Sequence, residues 1–221
     1  MKSLILLLFP ALLQADLMVT GGHFVVAGGK VRELSSTTIQ SDATLRLATG
    51  SEFITPSLHI ETAGVLQGCG TVTGDVDNQG LILADCGTDK TLILDGDIEN
   101  SGILRAENDT AFSVSGAFVN DGLIDLIFSP SSLPAGMTGS GQSVSATTLP
   151  PLTIEGDTTS LSIPAYPGHS YQLQFTNDLT ATPVVWTNIG SAQTVNETTI
   201  LTAAITLPTT GVNAYRFKIQ D

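Results

Sequence analysis

Hydrophobic and polar positions alternate in short runs along nearly the whole chain after residue 15. The runs are rich in Val, Ile, Leu, Phe and Thr, and Gly, Asn, Asp or Ser bound them. No stretch repeats apolar residues at the i, i+3, i+4, i+7 spacing of an amphipathic helix. The pattern predicts β-strands throughout, with clear examples at residues 24–26, 44–47, 58–60, 81–83, 92–94 and 112–114.

Three segments of the chain repeat one pattern without gaps. They begin at Gly74, Gly96 and Gly116, and they share Gly-x-(Val/Ile/Phe)-x-Asn-x-Gly-(Leu/Ile)-(Ile/Leu) at offsets of 22 and 20 residues. Weaker copies begin at Ala43 and Ala63. We take as equivalent points Leu45, Val65, Leu81, Ile103 and Leu123, which are spaced by 20, 16, 22 and 20 residues.

A period near 20 residues with two or three short strands per repeat predicts a β-solenoid. One coil cannot bury its apolar side chains alone, so coils must stack, about 4.8 Å apart, and align equivalent residues in columns. We expect two inward columns: Val76, Ile98 and Phe118, and then Leu81, Ile103 and Leu123. The alternative is an antiparallel sandwich with recurring Asn-x-Gly turns, but hairpins need no fixed period.

The repeat also aligns asparagines and glycines. We expect Asn78, Asn100 and Asn120 at a corner of the coil, where Asn tolerates left-handed backbone and stacked amides hydrogen-bond along the column. The second column is expected at corner positions that suit a residue without Cβ, and it comprises Gly80, Gly102 and Gly122.

These residues carry a family resemblance. The segment 64–80 contains Gly-Thr-Val-Thr-Gly-Asp-Val-Asp-Asn-Gln-Gly, which resembles the signature of autotransporter-type passenger repeats. Residues 91–102 are similar to the companion repeat, and the resemblance covers roughly residues 36–128. It implies a right-handed parallel β-helix and no particular chemistry. Such passengers usually precede a translocator domain, so we do not expect a chain of this length to be a self-sufficient autotransporter.

The composition changes after this region. Gly, Pro and Ser dominate residues 131–151, which predicts a linker between a solenoid at 16–130 and a second domain at 152–221. Strict alternation at 171–175 and 215–219 predicts half-buried antiparallel strands with one polar face. The second domain resembles a C-terminal β-sandwich module of verrucomicrobial-type secreted proteins, which implies no chemistry. The expected fold is all-β: a short right-handed parallel β-helix of about five coils plus a small antiparallel β-sandwich.

The first 15 residues have the pattern of a secretory signal peptide. Lys2 precedes an apolar run from Leu4 to Leu13 that is too short to span a bilayer, and Leu13-Gln14-Ala15 approximates a cleavage site. The alternative is a buried N-terminal strand. We expect a mature protein that is secreted or on the cell surface, with the periplasm as an alternative location, and that is not embedded in a membrane.

The negative net charge of the chain argues against two classes of binding partner. The chain has 8 basic and 21 acidic residues, a formal net charge of −13. A chain without a basic cluster cannot neutralise a phosphate backbone or an anionic lipid surface, so we expect no nucleic-acid partner and no lipid docking.

Cys69 and Cys86 are the two cysteines, 17 residues apart. This separation is close to one coil, so the pair could lie on adjacent coils within disulfide distance. In an exported protein we expect a disulfide, and two buried free thiols are the alternative. A zinc site would need two further ligands, and none of the three histidines neighbours a cysteine.

Asp75 and Asp77 match Asp97 and Glu99 one repeat later, and Asp95 lies beside them. We call the five carboxylates the acidic wall: Asp75, Asp77, Asp95, Asp97 and Glu99. We expect Asp95, Asp97 and Glu99 on one face of a strand. The plainest interpretation is a solvated acidic surface that keeps the protein soluble. The alternatives are a Ca²⁺ site, for which the Gly-Gly-x-Gly-x-Asp repeat is absent, and the acid/base pair of a polysaccharide-cleaving, pectin-lyase-like enzyme.

No other motif indicates chemistry. Hydrolase, nucleotide and dinucleotide signatures are absent from the sequence, so no catalytic residue, metal ligand or cofactor is assigned. Tyr171, Trp186 and Tyr215 either fill the sandwich core or stack on sugar rings. We expect a non-enzymatic exported protein with a structural, adhesion or matrix role, whose partners are cell-surface polysaccharide or other surface proteins. The alternatives are a carbohydrate-binding or carbohydrate-cleaving protein, which could depend on Ca²⁺, and a fragment of a longer surface protein.

Overall fold

The computed structural model of the protein describes residues 16–145, 153–154, 160–205 and 214–220. The predicted signal peptide at 1–15 lies outside the described residues. The chain divides into two compact units, Met1–Thr148 and Leu149–Asp221. All secondary structure of the described residues is β, so the predicted all-β class is confirmed.

The described part of the first unit contains sixteen strands. They are β1 (Leu17–Val19), β2 (His23–Val26), β3 (Lys30–Arg32), β4 (Thr37–Ile39), β5 (Thr44–Leu47), β6 (Glu52–Ile60), β7 (Val65–Gly68), β8 (Thr71–Asn78), β9 (Leu81–Ala84), β10 (Thr91–Asp95), β11 (Ile98–Asn100), β12 (Ile103–Ala106), β13 (Ala111–Val114), β14 (Phe118–Asn120), β15 (Leu123–Leu126) and β16 (Gln142–Ser145).

These strands form three walls of parallel strands. The first wall contains β3, the N-terminal parts of β6 and β8, β10 and β13. The second wall contains β1, β4, the C-terminal parts of β6 and β8, β11 and β14. The third wall runs in the order β16-β15-β12-β9-β7-β5-β2. The chain passes through each wall once per repeat, which makes a β-solenoid of about six turns.

The core lies inside the three walls. Alternate residues of each strand point inward, and they form one buried cluster that runs along the solenoid. Val76, Ile98 and Phe118 pair across the second wall and belong to this cluster, as predicted. Full burial of each such side chain contributes about 1.5–3 kcal/mol, so stacked turns stabilise one another.

Part of the predicted register is wrong by one residue. Leu45 pairs with Leu66 rather than with Val65, and the inward column of the third wall is Ile82, Leu104 and Ile124. Leu81 and Ile103 are only half-buried, and Leu123 lies outside that core cluster. Two apolar residues stand side by side in these strands, so the pattern alone does not show which of them faces the core.

The predicted linker begins too early, and this accounts for the additional turn. Strand β16 pairs in parallel with β15, and Val119 forms a parallel bridge with Thr138. Gly139 occupies the position of Asn120 and Gly141 that of Gly122, so residues 138–142 are an altered copy of the repeat. Their turn-like composition hid a strand whose pairing partners lie 19 residues earlier.

The asparagine column forms a buried ladder of side-chain amides. Asn78 Nδ2 donates to Asn100 Oδ1 at 2.6 Å, and Asn100 Nδ2 donates to Asn120 Oδ1 at 2.7 Å. All three side chains are buried at the C-terminal ends of β8, β11 and β14. None of the three has positive φ, so the expected left-handed backbone is wrong. The amide ladder explains the choice of Asn instead.

The glycine column marks a close approach between turns. A Cβ on Gly102 would lie 2.2 Å from the carbonyl oxygen of Gly80, and one on Gly122 would lie 2.1 Å from that of Gly102. Such distances are too short for any side chain. Stacking of consecutive corners therefore requires glycine at these positions.

A disulfide joins neighbouring turns of the third wall. Cys69 follows β7, Cys86 follows β9, and these two strands pair in parallel. The cysteines are bonded in the structure, with Cα atoms 6.1 Å apart, as the spacing of 17 residues predicts. The bridge closes one turn of the solenoid.

The described part of the second unit contains seven strands: β17 (Thr153–Ile154), β18 (Ser160–Ala165), β19 (Ser170–Thr176), β20 (Thr187–Asn188), β21 (Gln193–Thr194), β22 (Thr199–Ala204) and β23 (Ala214–Gln220).

The described strands of this unit form two antiparallel sheets, one of β17, β18 and β22 and one of β19, β20, β21 and β23. Leu161 and Leu173 come from different sheets and share one core cluster, as do Ile163 and Tyr171 in another. The prediction that one face of β19 is exposed to solvent is wrong, because Gln172 and Gln174 on that face are buried. Gln172 Nε2 donates to the carbonyl of Ile189 at 3.1 Å, so the segment after β20 covers it.

Candidate functional site

The acidic wall lies on two sides of a corner of the solenoid. Asp77 and Glu99 pair directly and point outward from the second wall, as the repeat predicts. Asp95 ends β10 on the first wall, and Asp97 lies between β10 and β11. The expectation that Asp95, Asp97 and Glu99 share one strand face is therefore wrong, because the chain turns at Gly96.

Two of these carboxylates bind backbone amides of the following turn. Asp75 Oδ1 accepts from the N–H of Asp97 at 3.1 Å, and Asp97 Oδ1 accepts from the N–H of Ala117 at 2.8 Å. Asp95 accepts from the hydroxyl of Ser115 at 2.5 Å. Each of the three thus joins its own turn to the next, which is a structural use of the carboxylate.

Asp121, which the sequence analysis did not single out, has the same use at another corner. Its Oδ1 accepts from Ser140 N at 2.8 Å and from Ser140 Oγ at 2.9 Å. The backbone and then the hydroxyl hydrogen bond of Ser140 hold the pKa of the Asp121 carboxyl below its usual range. Because the folded-state pKa is lowered, this contact stabilises the fold above the ordinary Asp pKa and is lost as the pH falls through the lowered value.

Asp77 and Glu99 are the members of the acidic wall that face solvent on the second wall. His59 precedes them in the same column, and its Nδ1 lies 2.8 Å from Asp77 Oδ2. The side chains of His59 and Asp77 are 37% and 48% exposed. A surface pair of this kind contributes at most about 1 kcal/mol. Sequence reasoning missed it because the partners are 18 residues apart, and only the correct register brings them together.

Two shallow grooves meet at Asp77 and Glu99. One has a volume of about 380 Å³ and is also lined by His59, Asp75 and Asp97. The other has a volume of about 270 Å³ and is also lined by Ser101 and Asp121. Open, acidic grooves can accept hydrogen bonds from sugar hydroxyls or attract cations.

No group of three or more His, Cys, Asp or Glu side chains in the described ranges is arranged to hold a metal ion. His59 meets Asp77 on the second wall, whereas His23 lies in the first turn and His169 is buried in the second unit.

A buried ion pair on the third wall also escaped sequence reasoning. Arg105 Nε lies 3.1 Å from Asp125 Oδ2, and their side chains are 9% and 1% exposed. Both occupy the tenth position of the aligned repeats, 20 residues apart. Opposite charges at matching repeat positions were therefore the signal that could have revealed the pair.

The three aromatic candidates of the second unit have different surroundings. Tyr171 is buried in the core, and Tyr215 packs on a core cluster and against Phe175, with ring centroids 6.3 Å apart. Trp186 is partly exposed, and the guanidinium carbon of Arg216 lies 4.1 Å from its ring centroid. Two of the three therefore serve packing, and Trp186 lies at the surface.

Comparison of the chain with protein-family models, with curated proteins and with solved structures finds no match in any of the three. Among the described residues, no helix is long and apolar enough to cross a membrane.

Proposed function

We propose that the protein is a non-enzymatic, exported structural or adhesion protein of the bacterial cell surface or extracellular matrix. The observation that carries the proposal is that three carboxylates of the acidic wall hydrogen-bond to the neighbouring turn of the solenoid. Asp75, Asp95 and Asp97 each bond to the following turn, as structural carboxylates do. A solenoid with a structural role needs contacts that join its turns, whereas an enzyme needs carboxylates that converge on a substrate.

Export is part of this proposal. Disulfides persist in oxidising compartments, and the Cys69–Cys86 bridge is consistent with such a compartment. The apolar run of the first 15 residues suits a signal peptide. Together they favour a mature protein that is secreted or displayed on the cell surface, with other surface proteins or polysaccharide as partners.

The second candidate function is carbohydrate binding or cleavage at the grooves of the second wall, with or without Ca²⁺. The observation in its favour is that Asp77 and Glu99 are exposed and line both grooves. Substitution of Asp77 and Glu99 therefore distinguishes the two proposed functions.

A glycan array and a polysaccharide-cleavage assay, each with and without Ca²⁺, test the choice. The groove variant carries Asp77→Asn together with Glu99→Gln. The matched control is Asp42→Asn, because Asp42 is an exposed carboxylate elsewhere on the solenoid. A structural role predicts that the grooves support neither cleavage nor Ca²⁺-dependent binding, so wild type and variant behave alike. Binding or cleavage that the groove variant loses and the control retains would overturn the proposal in favour of the second function.

A further inference from the structure

The two basic side chains of the second unit lie on the same face of one strand. Arg216 and Lys218 are the only Lys or Arg between Leu149 and Asp221, and they are two positions apart on β23. Alternate residues of a strand share a face. In a chain with a net charge of −13, this face therefore carries two positively charged side chains.

The Arg216 side chain is held in place from two sides. Its guanidinium carbon lies 4.1 Å from the centroid of the Trp186 ring, and its Nε donates to Gln174 Oε1 at 2.9 Å. Gln174 is itself buried, and its Nε2 donates to Asn188 Oδ1 at 2.8 Å. A long side chain that is fixed in this way loses little further freedom when a ligand binds.

The fixed guanidinium keeps its hydrogen-bonding fork available. Among the described residues, Arg216 makes one hydrogen bond, through Nε, and its two terminal nitrogens have no protein partner there. A planar guanidinium with free N–H groups matches the two oxygens of a carboxylate. Burial of Gln174 together with partial exposure of Arg216 and Trp186 indicates an anchored site that opens to solvent.

We propose that Arg216, Trp186 and Asn188 form a binding site for a carboxylate-bearing sugar, such as a uronate unit of an acidic polysaccharide. Arg216 binds the carboxylate, and Lys218 on the same face adds positive charge. Arg216 covers one face of the Trp186 ring, so we expect the remaining exposed part of the indole to contact the C–H groups of the sugar ring. The exposed amide of Asn188 supplies a donor for a hydroxyl, which favours a sugar over an acidic peptide. The site does not depend on the proposed function of the solenoid.

Trp186 is the only tryptophan of the chain, so its fluorescence reports on the site directly. The experiment titrates the full chain with oligogalacturonate and follows tryptophan emission together with calorimetric heat. We expect saturable binding with a change in emission. Arg216→Gln should weaken the affinity at least about tenfold, and Arg216→Lys should weaken it less, because Lys keeps the charge but lacks the fork. Trp186→Phe, followed by calorimetry, should bind because it keeps an aromatic surface, and Trp186→Ala should bind more weakly.

Arg46→Gln is the matched control, because Arg46 is an exposed arginine on the third wall of the solenoid. It should bind oligogalacturonate as the wild type does, and far-ultraviolet circular dichroism should show that all variants are folded. Neutral dextran should not bind. Absence of oligogalacturonate binding, equal binding by Arg216→Gln, or equal affinity for dextran sulfate or polyglutamate would each overturn the proposal, the last in favour of an acidic peptide.

Discussion

The buried amides of Asn78, Asn100 and Asn120 satisfy one another along the solenoid. Each of the two amide–amide hydrogen bonds replaces hydrogen bonds that these amides would make to water in the unfolded chain. Asn120 then donates to the carbonyl of Gln142 at 3.1 Å, so the ladder continues into the last turn. The sequence repeat predicted this column, but it could not show that the asparagines point inward.

Removal of the middle amide should be costly. Asn100→Ala leaves Asn120 Oδ1 without its donor and Asn78 Nδ2 with only the carbonyl of Ile103. We expect a loss of about 2–3 kcal/mol in the free energy of unfolding, because a buried polar group without a partner is destabilising. Urea denaturation followed by circular dichroism measures it. The exposed Asn196 provides the control, and an Asn100→Ala variant as stable as Asn196→Ala would contradict the ladder's role.

Glycine is required at Gly102 for space rather than for backbone freedom. Gly102→Ala would place its Cβ 2.2 Å from the Gly80 carbonyl oxygen, whereas Gly28→Ala meets nothing within 4 Å. We expect Gly102→Ala to lower the free energy of unfolding by about 1–3 kcal/mol, as overpacking does, and Gly28→Ala to have little effect. Urea midpoints of the two variants make the comparison. Equal midpoints would show that consecutive corners do not approach as closely as the structure indicates.

Elements of the solenoid could be predicted where the repeat is regular. The patterns at 74–83, 96–105 and 116–125 locate β9, β11, β12, β14 and β15, because turn residues punctuate them at a constant period. The last turn was missed since Gly139 replaces the ladder asparagine and Ser, Pro and Gly dominate around it. Side-chain roles at the acidic wall were missed for a different reason: hydrogen bonds such as Asp97 to Ala117 depend on the corner geometry, which a pattern does not contain.

The disulfide is a contact between elements, as it fixes β9 against β7. It closes a loop of 17 residues, which in the chain-entropy model contributes about 3 kcal/mol by restricting the unfolded chain. The free energy of unfolding of the variant Cys69→Ser with Cys86→Ser should be lower by about 3 kcal/mol, so its urea midpoint should be lower than that of the wild type. The matched measurement is the wild type with and without reductant. An unchanged midpoint in both comparisons would mean that the bridge does not constrain the unfolded state.

At the scale of the whole molecule, a low content of charge and a high content of glycine follow from one architecture. Most inward positions of the turns are apolar, apart from buried polar residues such as the asparagine ladder, and several glycines occupy corners where turns touch. Part of the acidic excess lies at the corner of residues 75–99. There it joins turns through Asp75 and Asp97 and lines two grooves through Asp77 and Glu99.

Stacking of one repeat per turn is tested most directly by a distance between residues of one column. Thr38 and Val119 face outward in the second wall, four turns apart, through His59, Asp77 and Glu99. Spin labels are attached to Thr38→Cys and Val119→Cys in a protein that keeps its native disulfide. Pulsed electron paramagnetic resonance then measures the distance between the two labels. At about 4.8 Å per turn we predict a narrow distribution centred near 19 Å. A distribution centred beyond about 30 Å, or one too broad for a fixed column, would contradict the solenoid.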